Sequence, residues 1–284
     1  MTFRSYSQVT GADRSDLLGQ VVSQRNRVTE RLRTVGRVVA VMSGKGGVGK
    51  SYVTAALARH LAGNEGLKVG VLDADLKSPT CARTLGARGP VRLTEEGAEP
   101  VEGVSGIRLF SSDLLIADGK PLEWREPDAE RFIWRGILET GALREFLGDV
   151  MWGTLNLLLV DLPPGGDRLA DLAALVPNLT GAVAVTIPSE ESRHSVERSI
   201  RTALDAKIRV LGVVENMSGY QCAHCQHDGP LFEGNAGDEL AREFGVPLLG
   251  RIPFTPKGSQ PGLDWLAIKP TQNLLRVINE IPLH

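Results

Sequence analysis

Residues 38–51 read VVAVMSGKGGVGKS, and this stretch decides the fold. Its first part, Val38 to Met42, is an apolar run that predicts a strand buried on both faces. Its second part, Gly44 to Ser51, matches the pattern G-x-x-x-x-G-K-[ST] in full. Helix-compatible residues follow from Ala55 to Leu61. A strand, a glycine-rich loop and a helix in this order are the context expected for a phosphate-binding loop.

The chemistry of this loop follows from its residue types. Glycines let backbone N–H groups wrap a phosphate, and the start of the helix adds favourable partial charge. Lys50 is expected to reach the β and γ phosphates of ATP, and the Ser51 hydroxyl to ligate Mg²⁺. The predicted nucleotide-binding residues of the loop are Gly44, Lys45, Gly46, Gly47, Val48, Gly49, Lys50, Ser51 and Tyr52.

Six further β-branched or apolar runs alternate with helical stretches. This alternation predicts an α/β fold with a mostly parallel, doubly wound sheet and right-handed crossovers. Two segments rich in Gly, Pro and charge, 86–106 and 111–129, are expected to be long excursions. The predicted strands are Val69 to Leu72, Ile107 to Phe110, Leu155 to Val160, Ala182 to Ile187, Val210 to Val214 and Leu248 to Ile252.

Acidic residues follow two of these strands. Asp73 and Asp75 are expected at the end of the second strand, and Asp161 at the end of the run from Leu155. Ligands of open α/β sheets bind at the carboxyl ends of strands. Asp161 is therefore predicted to hold Mg²⁺ through water, with Asp73 a weaker candidate for the same role. Asp75 is a candidate catalytic residue acting on the metal or the attacking water. The alternative for any one of these residues is a helix cap.

Composition limits the classes of protein to which the chain can belong. The chain has 284 residues, 42% of them hydrophobic, and a formal net charge of −2, which gives no electrostatic footprint for nucleic acid or an anionic membrane. Its N-terminus lacks the apolar core of a secretory signal. Three cysteines are too few for a disulfide framework. We therefore expect a soluble cytoplasmic protein, in which Cys81 is a buried small residue.

The first 34 residues are polar and rich in arginine, and we expect them to form an N-terminal helical arm distinct from an ATPase domain over 35–284. A helical stripe favours packing of this arm on the main domain over a docking or dimerisation role. Its members are Leu17, Leu18, Val21, Val22, Val28 and Leu32.

Cys222 and Cys225 form a Cys-x-x-Cys pair that can chelate one metal ion or one edge of a cluster. A [4Fe–4S] cluster needs four thiolates, so two chains would have to contribute. Zinc is an alternative, with His224, His227 or the partner's cysteines completing the site. A redox dithiol is a further alternative, although no thioredoxin-like context surrounds the pair.

Several motifs together resemble the Mrp family of iron–sulfur cluster carrier ATPases, within the deviant Walker A group. Lys45, directly after the first motif glycine, marks the wider group. The Asn-Met-Ser-Gly-Tyr stretch before Cys222 is narrower. The motifs lie at Leu72–Asp75, Ile133–Gly136, Gly141–Leu147, Asp161–Gly165, Val214–Cys225 and Gly245–Pro253.

The resemblance implies a homodimer that takes a [4Fe–4S] cluster from donors and passes it to apo iron–sulfur proteins. Lys45 would then reach the phosphates of the partner subunit and act with Lys50, Asp75 and Asp161 in catalysis. Asn216 would hydrogen-bond the adenine, Pro253 would pack near the base, and Asp161 to Gly165 would sense the γ-phosphate. Two other functions remain open: a zinc-bound, nucleotide-gated scaffold, and a positioning ATPase of the ParA and MinD kind.

Four departures from the family pattern stand out. Tyr52 replaces a Thr whose hydroxyl meets the α-phosphate, and residues 163–167 look one residue short of the family's switch segment. Residues 76–79 lack the Gly that usually precedes Pro79, and Gln226 replaces a Gly after the second cysteine. The first three touch the hydrolytic machinery, and they predict slow turnover.

Overall fold

The structure is a computed structural model that describes residues 26–115, 141–221, 224–225, 227–254 and 268–282. A central sheet has the strand order β10-β9-β8-β1-β7-β2-β6-β5, with β11 pairing on β9. Its strands are β1 (Val38–Ser43), β2 (Val69–Asp73), β5 (Val101–Glu102), β6 (Arg108–Ser111), β7 (Leu157–Asp161), β8 (Leu179–Thr186), β9 (Val210–Gln221), β10 (Asp228–Gly229) and β11 (Leu248–Phe254). A separate hairpin joins β3 (Arg92–Thr94) to β4 (Gly97–Glu99).

The pairings around β1 are parallel, and only the β5–β6 and β9–β10 pairs are antiparallel within the described part of the central sheet. The α-helices of the described residues are α1 (26–32), α2 (Lys50–Gly63), α3 (Cys81–Thr84), α4 (141–149), α5 (Asp167–Leu175), α6 (Glu190–Asp205), α7 (Ala236–Phe244) and α8 (Ile268–Asn279). The α/β fold with a mostly parallel, doubly wound sheet is confirmed.

Alternate residues of the central strands point to opposite faces of the sheet, and each face has its own apolar cluster. Val38, Ala40 and Met42 belong to the cluster that packs α1, α4, α5, α6 and α7. Val39 and Val41 belong to the cluster that packs α2, α3 and α8. Because both faces are covered, β1 and β7 are apolar throughout except for their last residues.

All seven predicted strands are present, with ends shifted by up to three residues except for β9. That strand continues to Gln221, because the polar residues after Val214 stay in the ladder with β11 and β10. The excursion over 86–106 holds the β3–β4 hairpin. In the second excursion, residues 116–129 lie outside the described part.

The described part of the N-terminal arm is the helix over 26–32. Val28 and Leu32 are fully buried in the same apolar cluster as the sheet. The other members of the predicted stripe lie outside the described residues, and the division at residue 34 stays a prediction. Of the residues that the structure describes, no helix is long and apolar enough to cross a membrane.

Candidate functional site

The phosphate-binding loop connects β1 to α2, and its last glycine has a conformation that a side chain would not tolerate. Gly49 has φ +81°, and a Cβ there would collide with the amide of Asn216. That amide donates from Nδ2 to the Val48 carbonyl at 2.9 Å. Strand β9 therefore holds the loop in place. Helix α2 begins at Lys50 with its free N–H groups facing the loop, which is an arrangement suited to binding phosphate.

Asp161 contacts three polar side chains of this site. Its Oδ2 lies 2.7 Å from Lys50 Nζ and 2.5 Å from Ser51 Oγ. Its Oδ1 accepts a hydrogen bond from Thr54 Oγ1 at 2.7 Å. Asp161 is 0% exposed and Lys50 is 6% exposed, so this ion pair is buried. The structure brings the predicted residues Lys50, Ser51 and Asp161 together at one point.

Asp73 lies beside Asp161, since β2 and β7 are neighbours and the two residues are in register. Its Oδ2 accepts hydrogen bonds from the backbone N–H groups of Thr80 and Cys81, at 2.9 and 3.0 Å. Burial and the nearby charge of Asp161 raise the pKa of Asp73 to about 7. Asp73 thus fastens the loop that follows β2, and any role toward Mg²⁺ stays a prediction.

Cys81 is buried, as expected, but its surroundings are polar. Its Sγ lies 3.7 Å from Asp161 Oδ2, and ligand atoms of Cys81, Asp73 and Asp161 are all within 4.8 Å of one another. Burial and the two carboxylates raise the pKa of the Cys81 thiol. The thiol is therefore protonated and unreactive at neutral pH.

Asp75 does not end a strand, because β2 stops at Asp73. Its Oδ1 accepts a hydrogen bond from the backbone N–H of Ser78 at 3.3 Å. This bond caps a turn and not a helix, because the next helix begins at Cys81. Its catalytic role stays a prediction.

Lys45 lies at the side of the loop that faces α6. A Cβ on Gly44 would collide with the backbone of Ser195, so α6 packs directly against the loop. The carboxylate of Glu191, near the start of α6, has a lowered pKa because its own backbone N–H and the Ser189 hydroxyl bond to it, with a smaller contribution from the charge of Lys45. No carboxylate within the described ranges forms an ion pair with Lys45, which is half-buried.

The two residues predicted near the base lie at neighbouring positions of β9 and β11. Asn216 pairs with Ile252 in the parallel ladder, and Pro253 follows Ile252. Asn216 is 2% exposed, and its Nδ2 is already bonded to the loop. Contact of either residue with adenine stays a prediction.

The segment after Asp161 runs alongside the phosphate-binding loop. The N–H of Gly165 donates to the Ser43 carbonyl at 2.8 Å, and Gly165 has φ +104°. Helix α5 begins two residues later, at Asp167. The segment is therefore attached to the end of β1, and its response to a γ-phosphate stays a prediction.

The Cys-x-x-Cys segment is the connection of the β9–β10 hairpin. Gln221 pairs with Asp228, and Tyr220 pairs with Gly229. Cys225 and His224 are exposed in this connection, and Cys222 lies outside the described residues. The hairpin therefore presents Cys225 to the surroundings, away from the interior of the sheet.

Comparison with known proteins identifies the family. The family described as "ParA: NUBPL iron-transfer P-loop NTPase" matches residues 34–264. The chain belongs to this NUBPL-type family of P-loop NTPases. The resemblance to iron–sulfur cluster carrier ATPases of the deviant Walker A group is thereby confirmed.

Relatives and solved structures agree with this assignment. An iron-sulfur cluster carrier protein of Saccharolobus solfataricus is 40% identical over 84% of this chain and 77% of its own length. The human cytosolic Fe-S cluster assembly factor NUBP2 is 39% identical over 79% of this chain and 82% of its own. A nucleotide-binding protein from Archaeoglobus fulgidus, solved with ADP and cobalt, is 37% identical with a TM-score of 0.67, covering 91% of this chain and 94% of that one.

The NUBPL-type chain also has site residues that sequence reasoning missed. Thr54 lies one helical turn after Lys50, and that spacing was the available signal for its contact with Asp161. Glu215 is 2% exposed; it accepts from the Gly237 N–H at 2.7 Å and from Arg251 Nε at 3.0 Å. Glu215 joins β9, β11 and α7 directly beside Asn216. No sequence motif indicates this buried contact.

Proposed function

We propose that the chain is a homodimeric, cytoplasmic ATPase that carries a [4Fe–4S] cluster, receives it from a donor and delivers it to apo iron–sulfur proteins. The names of the archaeal carrier protein and of the human cytosolic assembly factor support this function. The observation that carries the nucleotide part is the group of Lys50, Ser51 and Asp161 at the start of α2.

Each residue of this group has a task in ATP hydrolysis. Lys50 neutralises charge on the β and γ phosphates, while the N–H groups of the loop hold the phosphate oxygens. Ser51 Oγ is an oxygen ligand of the kind that Mg²⁺ prefers, and Asp161 Oδ2, 2.5 Å from it, would hold the metal through water, so the residues fit a magnesium-bound triphosphate. When bound, the metal neutralises charge that develops on the β and γ oxygens. Thr54 keeps the carboxylate of Asp161 oriented toward Ser51.

Lys45 is proposed to complete the site of the partner subunit. Its lack of a carboxylate partner among the described residues leaves the ammonium group available for a phosphate outside its own loop. A cation supplied in trans can raise the rate of phosphoryl transfer by about 10³–10⁵.

A mixing experiment tests the trans arrangement. Lys45→Ala and Lys50→Ala proteins are each expected to be nearly inactive. In a mixed dimer, the intact Lys50 of one protomer would meet the intact Lys45 of the other, so one of two sites is complete. With random mixing, turnover should return to about a quarter of the wild-type value, because the lost group acts only across the interface. No recovery on mixing, with dimers shown to exchange, would place Lys45 in its own subunit.

The cluster is proposed to lie between two hairpins. Each chain offers Cys222 and Cys225, and two chains supply the four thiolates that the cluster needs. Cys225 is exposed at the turn of the hairpin, where a second chain can approach it. A cluster shared across a subunit boundary is released more easily than one enclosed by a single chain.

Anaerobic reconstitution tests the cargo. Iron and sulfide assays should give about one four-iron cluster per dimer, since four thiolates serve one cluster. Cys222→Ala and Cys225→Ala should each abolish iron retention. Cys81→Ala is the matched control, because Cys81 is buried beside Asp161 and should leave the iron content unchanged. Stoichiometric zinc without sulfide in the wild type would replace the carrier with a zinc-bound scaffold.

A further inference from the structure

A cavity lies at the end of the sheet opposite the phosphate-binding loop. It has a volume of about 600 Å³ and is lined by residues at the starts of β1, β7, β8 and β9. The phosphate-binding loop follows the carboxyl end of β1, and Asp161 is the last residue of β7. The cavity is therefore separate from the nucleotide site by the length of the sheet. We call it the cationic cavity, defined by Arg33, Arg37, Lys207 and Arg209.

The charged residues that line the cationic cavity are all basic, and one of them, Arg33, is paired with Glu30 outside the lining. Its described lining contains four cations and no aspartate or glutamate, in a chain whose net charge is −2. Arg37 donates to the Ile281 carbonyl at 2.8 Å, which fixes its guanidinium at the wall. Among the residues that the structure describes, no carboxylate forms an ion pair with Lys207 or Arg209. Their charges are therefore available to a ligand.

Lys207 has a backbone conformation that glycine would adopt at lower cost. Its φ is +58°, directly after the end of α6. The N–H of Lys207 bonds to the Leu204 carbonyl and that of Ile208 to the Ala203 carbonyl, which is the hydrogen-bond pattern of a Schellman motif. Glycine is the usual residue at this position. A lysine here adds a cation to the lining of the cavity at a cost in backbone strain.

Apolar side chains form part of the lining beside the cations: Val176, Pro177 and Ile208 belong to it. Small-molecule sites combine apolar side chains with polar groups and occupy about 300–1,000 Å³. The cavity therefore suits an organic molecule with several negative charges better than a bare ion.

We propose that the cationic cavity binds a small-molecule polyanion whose phosphate or carboxylate groups contact Lys207 and Arg209. The guanidinium groups of Arg209 and Arg37 can bond either kind of anion through two N–H groups. Thr154 and Asn178, also in the lining, add neutral hydrogen-bonding groups. This site is independent of the ATP site and of the cysteine hairpin.

Isothermal titration of the full chain tests the proposal. The protein is first saturated with ADP without added Mg²⁺, so that the phosphate-binding loop is filled by a nucleotide that is not hydrolysed and the probes have no free metal to chelate, and is then titrated with pyrophosphate or with citrate at constant ionic strength. Binding of either probe is the expected result, and the pair of probes shows which anionic group is preferred. Lys207→Gly and Arg209→Ala should each weaken binding by about tenfold or more, since charge-assisted hydrogen bonds are lost.

Two controls keep the result interpretable. Lys207→Gly removes the strained conformation, so it should keep or raise thermal stability, and its loss of binding cannot be attributed to unfolding. Arg92→Ala removes one exposed charge from the β3–β4 hairpin and should leave binding unchanged. The proposal would be overturned if neither probe bound, or if both cavity variants kept the wild-type affinity. It would also be overturned if Arg92→Ala lost as much affinity as the cavity variants. The ATPase activity of the three variants, measured in parallel, should equal that of the wild type.

Discussion

Replacing Lys50 with methionine should destabilise the nucleotide-free protein, in addition to impairing phosphate binding. In the absence of nucleotide, Lys50 Nζ neutralises Asp161 at 2.7 Å, and the two side chains are 6% and 0% exposed. Asp73, directly beside Asp161, adds a second acidic group to this buried space. Removing one partner of a buried ion pair costs about 3–5 kcal/mol, because the remaining charge is buried without an opposite charge.

Urea denaturation without nucleotide and Mg²⁺ measures this cost. Lys50→Met should lower the free energy of unfolding by about 3–5 kcal/mol. The double variant Lys50→Met/Asp161→Asn should lose less than the sum of the two single variants, since Asp161 is no longer left as an unpaired charge. Arg276→Met is the matched control: its partner is Glu280, both side chains are exposed, and such pairs are worth about 0–1 kcal/mol. A loss for Lys50→Met no greater than for Arg276→Met would refute the reasoning. The same cost means that any binding test of a Lys50 variant needs a check of folding.

Three further outcomes are expected. Thr54→Val should lower the free energy of unfolding by about 1.5–3 kcal/mol in urea denaturation, since Asp161 loses a buried hydrogen bond, while Thr84→Val on the exposed face of α3 should change it little. The pKa of Asp73 is about 7 in the folded state against an ordinary 3.8, so the folded state holds the extra proton between these values; unfolding free energy should fall as pH rises through that window, and Asp73→Asn should flatten the slope. Tyr52→Thr should raise ATP turnover, and phosphate release by the wild type should stay below about 1 s⁻¹; a faster wild type would contradict the expected effect of Tyr52.

Local sequence could predict the parts of the site in which a motif lies at a position fixed by the order of strands and helices. Gly44 to Ser51 fixes a strand before it and a helix after it, and the apolar run before Asp161 fixes a neighbouring strand. Parallel strands bring their carboxyl ends together, so the meeting of Lys50, Ser51 and Asp161 follows from topology. Asp75 was placed wrongly at a strand end, because β2 stops two residues earlier and the next turn uses that carboxylate as a cap.

Other features depend on contacts that no local pattern reveals. Cys81 and Asp161 are 80 positions apart in the sequence. They meet because the loop after β2 folds back toward the carboxyl end of β7, where Asp73 holds it through the N–H of Cys81. The cationic cavity combines Arg33 and Arg37 with Lys207 and Arg209. These residues precede β1 and β9, which are separated by β8 in the sheet, and only the final topology places them around one space.

Strand β9 connects the proposed ATP site to the proposed cluster site. Asn216 holds the phosphate-binding loop through the Val48 carbonyl, and Gln221 ends the strand one residue before Cys222. Between them, Met217 has φ +55°, a conformation that costs a non-glycine residue about 1–3 kcal/mol unless its surroundings hold it. The ladder with β11 also shifts register in this region, between Ile252 and Phe254. The irregular segment of β9 therefore lies between the residue that holds the phosphate-binding loop and the hairpin that carries the cysteines. It leaves the regular ladder of β9 with β8 intact, because that ladder ends at Glu215, before Met217.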